Sequence, residues 1–384
     1  MAPIINIRYF ELCMPFTTLF KHGSAERVQT ETVIVEVKDA NGLVGYGEGC
    51  PRAYVTAESV SSCLTFFTEH SQRFGEISNL AELQAYVNNN ECLIDTNPAA
   101  WCGVELAILD LLAKQQGKTV EALLGLSLPR ANYYYSAVLG DSSPASFAGL
   151  YKQYRAMGFC DFKIKLSNDI LREKAKLECL NKDLSDISLR ADANNLWETA
   201  SEAIQFINDL GPKFAALEEP ITSNQYNDLS RLADELDLKI ILDESFMRYS
   251  HVMFLKDTPS SWIVNIRVSK MGGILRSLKI IDALKPLGVN ITIGAQVGET
   301  SLLTRAALIL ADHAGDNLNA QEGAFGTLLL QQDLFSPVLQ FGKGGQLINN
   351  SDYRTQPGFG LHLINKLEDS PYAMFANSVN FGAL

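Results

Sequence analysis

Five charged residues recur at a near-constant interval in the second half of the chain. Lys165, Asp192, Glu218, Asp243 and Lys270 are separated by 27, 26, 25 and 27 residues. A further step of 26 reaches Gln296, and another reaches Glu322. Each step is the length of one strand followed by one crossover helix, so a repeat of this kind can bring together strand ends that lie far apart in sequence. Any one of these charges alone would read as a polar residue solvating a strand end. Three acids on three consecutive strands, with lysines before and after, fit that description poorly. Three carboxylates converging in a mouth of low dielectric repel one another unless a cation joins them. Oxygen ligation by Asp192, Glu218 and Asp243 favours a hard ion, Mg²⁺ or in its place Mn²⁺, over zinc.

The lysines add proton chemistry. Lys163 and Lys165 stand at i and i+2 and therefore share one face of a strand. Two ammonium groups beside a metal ion each favour the neutral amine of the other, which moves a lysine toward service as a base. Lys270 is expected on the sixth strand, across the mouth from Lys165, an arrangement suited to removing a proton from one face of a substrate and delivering one to the other. Asn194 is expected to orient the metal site from behind. Glu244 would point away from Asp243, either pairing with a lysine or forming a structural salt bridge. Gln296 and Glu322 are candidate substrate contacts, Glu322 either binding a cation or facing solvent. Trp197 reads as packing, and Gly272-Gly273 as a tight strand-to-helix turn. The histidines (22, 70, 251, 313 and 362) have no metal-ligand spacing and none falls on the interval. Neither G-x-S-x-G, nor a Walker loop, nor C-x-x-C occurs.

The elements needed to position these residues are legible from residue 133 onward. Short apolar strands are expected at Tyr134–Val138, Asp161–Lys165, Ile187–Asp192, Phe214–Glu218, Lys239–Asp243, Trp262–Ile266, Asn290–Ile293 and Leu318–Gln321. Helices are expected between them, at Pro144–Met157, Leu171–Leu184, Thr199–Leu210, Asn227–Leu236, Ile274–Leu287 and Ser301–Ala314. Eight strands with crossover helices make a parallel α/β barrel the first choice and an open doubly wound sheet the alternative. No G-x-G-x-x-G follows the first strand to support a dinucleotide fold. The first 130 residues read as an α+β unit: strands at Ile4–Leu12 and Thr32–Val37, a turn at Asp39-Ala40-Asn41-Gly42, a returning strand at Leu43–Glu48, and helices near 57–74, 78–89 and 99–116. The segment after residue 335 reads as loop-rich.

Composition limits the function classes. The chain has 384 residues, with 32 Lys plus Arg against 44 Asp plus Glu and a net charge of −12. That balance repels polyanions, so neither nucleic acid nor an anionic membrane is an expected partner. Hydrophobic residues at 47% and charged residues at 20% describe an ordinary globular chain. No apolar run approaches the roughly 20 residues that span a bilayer, and MAPIINIRYF lacks a secretory pattern. Seven cysteines without C-x-x-C spacing read as reduced thiols. A cytoplasmic enzyme, assembled as a homo-oligomer, is the expectation.

Taken in order, Lys163-x-Lys165, Asp192-Ala193-Asn194, Glu218-Glu219-Pro220, Asp243-Glu244-Ser245 and Asn265-x-Arg267-x-x-Lys270-x-Gly272-Gly273 resemble the enolase superfamily, specifically its muconate lactonizing enzyme subgroup. Gly45-Tyr46-Gly47-Glu48 followed by Pro51 is similar to the capping domain of that subgroup. The resemblance implies a modified (β/α)₇β TIM-type barrel over residues 131–335. It also implies an N-terminal α+β cap over 1–130, with a return segment, 336–384, packing on the cap. It implies one Mg²⁺ held by Asp192, Glu218 and Asp243, with Lys165 and Lys270 as acid/base pair and Lys163 neutralising the carboxylate of a small-molecule substrate. A Lys or His base with Mg²⁺ is the general pattern of enolase-superfamily sites. Such a site takes the proton next to a carboxylate and passes through an enediolate. Proton return gives racemisation or epimerisation; loss of a leaving group gives dehydration, as in o-succinylbenzoate synthases; muconate cycloisomerisation uses the same intermediate.

The region Gly45 to Ala57 is most similar to dipeptide epimerases, and a racemase or epimerase of a dipeptide or amino-acid derivative is the leading expectation. Those enzymes carry Asp-x-Asp on the eighth strand for the substrate ammonium. Here the place reads Asn319-Ala320-Gln321-Glu322, a departure that leaves an ordinary Ala-Glu substrate unsupported. Gly326–Leu330 with Asp333 is similar to the muconate lactonizing branch. A mandelate-racemase-like dehydratase lacks its late-strand His. A non-catalytic protein on this scaffold would be expected to lose a lysine or an acid, and all are present. The cap loops Pro15–Ala25 and Cys50–Ala57 are expected to close over the mouth, with Lys21, Arg52 and Tyr54 touching the distal part of the substrate.

Overall fold

A computed structural model describes residues 2–22, 25–127, 129–130, 132–323, 329–347 and 351–381, with the side chains of 18–26, 351 and 352 excepted. Eight parallel strands form one sheet in sequence order: Ala137–Leu139, Asp161–Lys165, Ser188–Asp192, Ala216–Glu218, Lys239–Leu242, Trp262–Ile266, Asn290–Ile293 and Leu318–Gln321. They are called here the first to eighth barrel strands. The sheet curls until the Ser136 amide donates to the Gln321 carbonyl at 2.8 Å, joining first strand to eighth. The barrel is therefore the fold, and the open sheet is excluded.

Side-chain alternation decides what fills the barrel. Ala216, Ile241 and Ile263 make a small buried apolar cluster separate from the main core. Two residues on from each, on the same face, stand Glu218, Asp243 and Asn265. A short apolar floor thus lies under a polar mouth. The opposite faces pack on the surrounding helices; Ile240 and Leu242, for example, are fully buried in the main core.

The helix expected over 171–184 runs only from Ile170 to Glu178. After it the chain makes tight turns, Asn181 N–H to Glu178 O, Asp183 to Leu180 and Asp186 to Asp183. Asn, Asp and Ser in this stretch favour turns over helix, while Leu180 stays fully buried.

The cap is an antiparallel sheet in the order Ala373–Asn380, Ile4–Leu12, Thr32–Asp39, Val44–Gly49. Its outer strand, Ala373–Asn380, lies in the segment after residue 335 that is expected to be loop-rich. Its exposed and half-buried residues come in runs, so it carries no core-facing alternation. A second antiparallel pair, Pro15–His22 with Ala25–Gln29, stands where the loop Pro15–Ala25 is expected and runs on past it. The helix Pro98–Gln115 lies against the Val44–Gly49 strand and is buried from Pro98 to Ala113. Glycine makes that contact close: a Cβ on Gly47 would sit 1.9 Å from the Gly103 carbonyl oxygen. No described helix is long and apolar enough to cross a membrane.

Buried acids of the cap hold two barrel helices by their N-terminal amides. Glu48 accepts from Thr300 N at 3.0 Å and Oγ1 at 2.6 Å, at the start of the helix Ser301–Ala314. Glu105 accepts from Leu275 N at 3.0 Å, at the start of Ile274–Leu284. Gly272 and Gly273 there have φ of +77° and +101°, and a Cβ on Gly273 would meet the Glu105 carboxylate. The expected tight turn is also the point where the cap approaches.

Burial pushes the Glu48 carboxyl up to about 8, against roughly 4.3 in an unfolded chain. The folded chain therefore holds this proton more tightly. The resulting stability is complete below about pH 4 and is lost as pH rises through about 8. Glu48→Gln cannot ionise. In urea unfolding from pH 5 to 8, wild type should lose stability relative to this variant, by on the order of 1 kcal/mol per pH unit. A gap independent of pH would show that Glu48 does not titrate this way.

Candidate active site

The C-terminal strand ends bring the spaced residues together. Asp192 and Glu218 are the last residues of the third and fourth strands and are direct neighbours in register; Lys165 pairs with Asp192 in the same way. Asp243 follows the fifth strand by one residue. Lys270, expected on the sixth strand, lies beyond it: that strand ends at Ile266, and Val268–Met271 form one helical turn stopped by Gly272. The turn carries Lys270 back over the strand ends. Its Nζ donates to the Asp243 carbonyl (2.9 Å), Asp243 Oδ1 (2.7 Å) and the Asn265 carbonyl (2.7 Å).

Each of the spaced acids meets a cation. Lys163 Nζ lies 2.8 Å from Glu218 Oε2 and 3.9 Å from Asp192 Oδ2, and it also pairs with Glu322. Lys165 Nζ donates to Asp192 Oδ2 at 3.0 Å and to Asn194 Oδ1 at 2.7 Å. Arg267 pairs with Asp243 and donates to Gln296 Oε1 at 2.9 Å. Asn265 Nδ2 donates to Glu218 Oε1 at 3.0 Å. All these acids and lysines are buried.

Burial disfavours every one of these charges, and the neighbours decide the outcome. For Asp243, Arg267 and Lys270 outweigh burial and hold the carboxyl at about 2. For Lys163, Glu218, Glu322 and Asp192 outweigh burial and hold the ammonium protonated. Burial pushes Glu218 up to about 7; Lys163 opposes this, while Asp192, Glu322 and Asp243 add to it. Lys270 goes the other way, because burial exceeds the pull of Asp243 and lowers it toward the neutral amine.

Among the described residues no trio of His, Cys, Asp and Glu gathers its donor atoms as a metal ion requires. The residues nevertheless fit a hard divalent cation. The donors are all carboxylate oxygens, they lie on adjacent strand ends, and one cationic group, the Lys163 ammonium, already bridges Asp192 and Glu218.

The other expected residues are placed as follows. Asn194, expected behind the metal, donates its backbone amide to Asp192 Oδ1 at 3.1 Å and accepts from Lys165 through Oδ1. Glu244 is half-buried, with its Oε2 shielded from solvent and without a hydrogen-bond partner. Glu322 is held by Lys163 and by Arg190 Nη1 at 2.6 Å. Arg52 is buried, its guanidinium donating to the carbonyls of Glu31, Pro51 and Val297, so it ties the cap loop to the loop after the seventh strand. Tyr54 is half-buried against the Arg27 guanidinium. The Lys21 side chain and residues 324–328 lie outside the described residues. Asp333 caps the helix Ser301–Ala314 through Ser301 N and Oγ. The start of the Pro15–His22 strand does meet the segment after the eighth strand, through Gln331 N to Pro15 O at 3.1 Å.

Sequence reading assigned no role to Glu219, Arg190 or Arg267. Glu219, with φ +39°, accepts from the amides of Asp243 (2.6 Å) and Ser245 (2.7 Å), fixing the strand end that carries Asp243. Arg190 stands two residues before Asp192 and so on its face, the one signal that could have found it. It links Glu322 to Ser136 Oγ (2.5 Å) and Asp161 (3.0 Å).

Comparison with known proteins agrees with this geometry. Residues 146–367 match the enolase C-terminal domain-like family, and residues 14–125 match the mandelate racemase / muconate lactonizing enzyme N-terminal domain. The L-Ala-D/L-Glu epimerase of Bacillus subtilis is 28% identical over 363 residues, covering 93% of this chain and 96% of that one. Its substrate-liganded structure superposes with a TM-score of 0.82 at 26% identity, over 94% of this chain and 98% of that one. The N-succinyl Arg/Lys racemase from Bacillus cereus has the same fold, with a TM-score of 0.84 at 20% identity over 98% and 100% of the two chains. So does the dipeptide epimerase from Enterococcus faecalis complexed with Mg and L-Leu-L-Tyr, at 0.80, 24% identity, and 94% and 99% coverage. The chain belongs to the mandelate racemase / muconate lactonizing enzyme family of the enolase superfamily.

Proposed function

We propose that the protein is a Mg²⁺-dependent racemase or epimerase that acts at the carbon next to the carboxylate of a dipeptide or an N-acylated amino acid. The observation that carries this reading is the placement of two lysines. Lys165 ends the second strand and Lys270 follows the sixth, four strands away in an eight-strand barrel, so they address the mouth from opposite sides. The epimerase and racemase relatives support it. A homo-oligomer in the cytoplasm belongs to the same proposal.

Asp192, Glu218 and Asp243 would hold the ion, which when bound supplies positive charge to the substrate carboxylate and acidifies the adjacent C–H. Lys163, kept protonated, neutralises the carboxylate as charge develops on it. One of the pair Lys165 and Lys270 takes the proton as a neutral amine while the other returns one to the opposite face as an ammonium. The lowered basicity of Lys270 suits it to start as the amine. Asn194 fixes the Lys165 ammonium, and Glu219 fixes the backbone beside Asp243. Glu322, already paired with Lys163 and Arg190, has little left for a substrate ammonium, which favours the N-acylated class.

The metal assignment is tested with Asp243→Asn. Calorimetry should show Mg²⁺ binding weakened by at least about tenfold; unchanged affinity would reject Asp243 as a ligand.

The two-base assignment is tested with Lys165→Ala and Lys270→Ala across dipeptides, N-acyl amino acids and muconates in D₂O. Each variant should lose turnover of both isomers, yet still exchange the α-proton of the one isomer whose lysine survives. Full turnover in Lys270→Ala would leave only the single-base chemistries, dehydration or cycloisomerisation.

A further inference from the structure

Behind Lys165 lies an ion pair that the mouth chemistry does not use. Glu173 and Lys176, three residues apart on the helix Ile170–Glu178, are 2.7 Å from each other with both side chains fully buried. Lys176 Nζ donates to the carbonyl of Lys165 at 2.9 Å. Glu173 Oε1 accepts from the amide of Ser167 at 3.2 Å and from its hydroxyl at 2.6 Å. Between these two grips the Leu166 amide donates to the Asp192 carbonyl at 2.9 Å. The chain that leaves the second strand is thus held at three consecutive residues, beginning with the proton-transfer lysine. Asp141, from the loop after the first strand, lies 3.6 Å from Lys176 and pairs with Arg172; the Phe147 ring lies 5.6 Å from the ammonium.

Burying both charges is costly, and an apolar pair of similar volume would commonly serve stability as well or better. What an apolar pair cannot do is bond a carbonyl and an amide on either side of Leu166. A proton-transfer group misplaced by about 1 Å can lose about a hundredfold in rate. Lys165 is held at its tip by Asp192 and Asn194, and the backbone from which it reaches is held by this pair.

We infer that Glu173 and Lys176 are positioning residues for proton transfer by Lys165. The inference rests on the proposed role of Lys165 and adds to it the device that sets its backbone.

The test compares wild type with the double variant Glu173→Leu/Lys176→Met, which leaves no unpaired charge and is expected to fold. Glu173→Gln is the conservative control, since its amide oxygen can still accept from Ser167. In D₂O with Mg²⁺, the double variant should lose α-proton exchange by at least about tenfold on the isomer served by Lys165. It should keep exchange of the other isomer, with KM little changed, and Glu173→Gln should recover part of the loss. Equal loss on both isomers, or no loss, in a folded double variant overturns the inference. Amide hydrogen exchange of the segment 165–168 gives a readout free of any substrate: protection should fall by at least about tenfold there and not in the sixth strand. If wild type turns over nothing in the panel, the proposed function fails, and unchanged protection of 165–168 would overturn the positioning role on its own.

Discussion

Confinement of like charge governs this molecule. Asp192, Glu218, Asp243 and Glu322 are buried at one end of one barrel, where none would ionise alone without large cost. Their coexistence requires cations at the same depth, and Lys163, Lys165, Lys270, Arg190 and Arg267 are all there. The mutual dependence is what makes the site chemical as well as stable. A lysine close enough to neutralise an acid is close enough to surrender a proton when the balance of charge changes. Glu218, short of compensation among three other acids, marks where additional positive charge has most to gain.

The spaced acids and Lys165 were legible because a parallel barrel repeats one strand and one helix per unit, and because the strand ends are where inward-facing side chains meet solvent. Asp192, Glu218 and Asp243 needed only counting. Lys270 was found by the same count but misplaced by one element: a single helical turn between Arg267 and Gly272 has no periodicity to read. Arg190, Glu173 and Lys176 were not recognised for their contacts. The i,i+3 spacing of Glu173 and Lys176 is a helical pattern, but their grip on the Lys165 carbonyl and the Ser167 amide, and the reach of Arg190 to Ser136, Asp161 and Glu322, have no local signature. Arg52 shows the converse. A charged residue in a loop expected over the mouth instead spends its donors on three backbone carbonyls. The outer cap strand was invisible for another reason, since its exposed and half-buried residues come in runs and leave no alternation.

The cap reveals how short side chains build an interface. Gly45, Gly47 and Gly49 fall on one face of their strand, and each would drive a Cβ into the backbone of the helix Pro98–Gln115. The tyrosine and glutamate between them point the other way, and Glu48 reaches the barrel. One six-residue strand thus seats the central cap helix with its even-spaced glycines and anchors a barrel helix with the acid between them.

That anchoring bears on ancestry. Glu48 and Glu105 sit in the cap but complete the N-terminal turns of helices that belong to the barrel, and Gly273 is shaped to admit one of them. A cap exchanged for that of a distant relative would leave those amides bare unless its own acids arrived at the same points. The two halves are therefore poor material for recombination. Change confined to rim loops leaves both of these amide contacts in place.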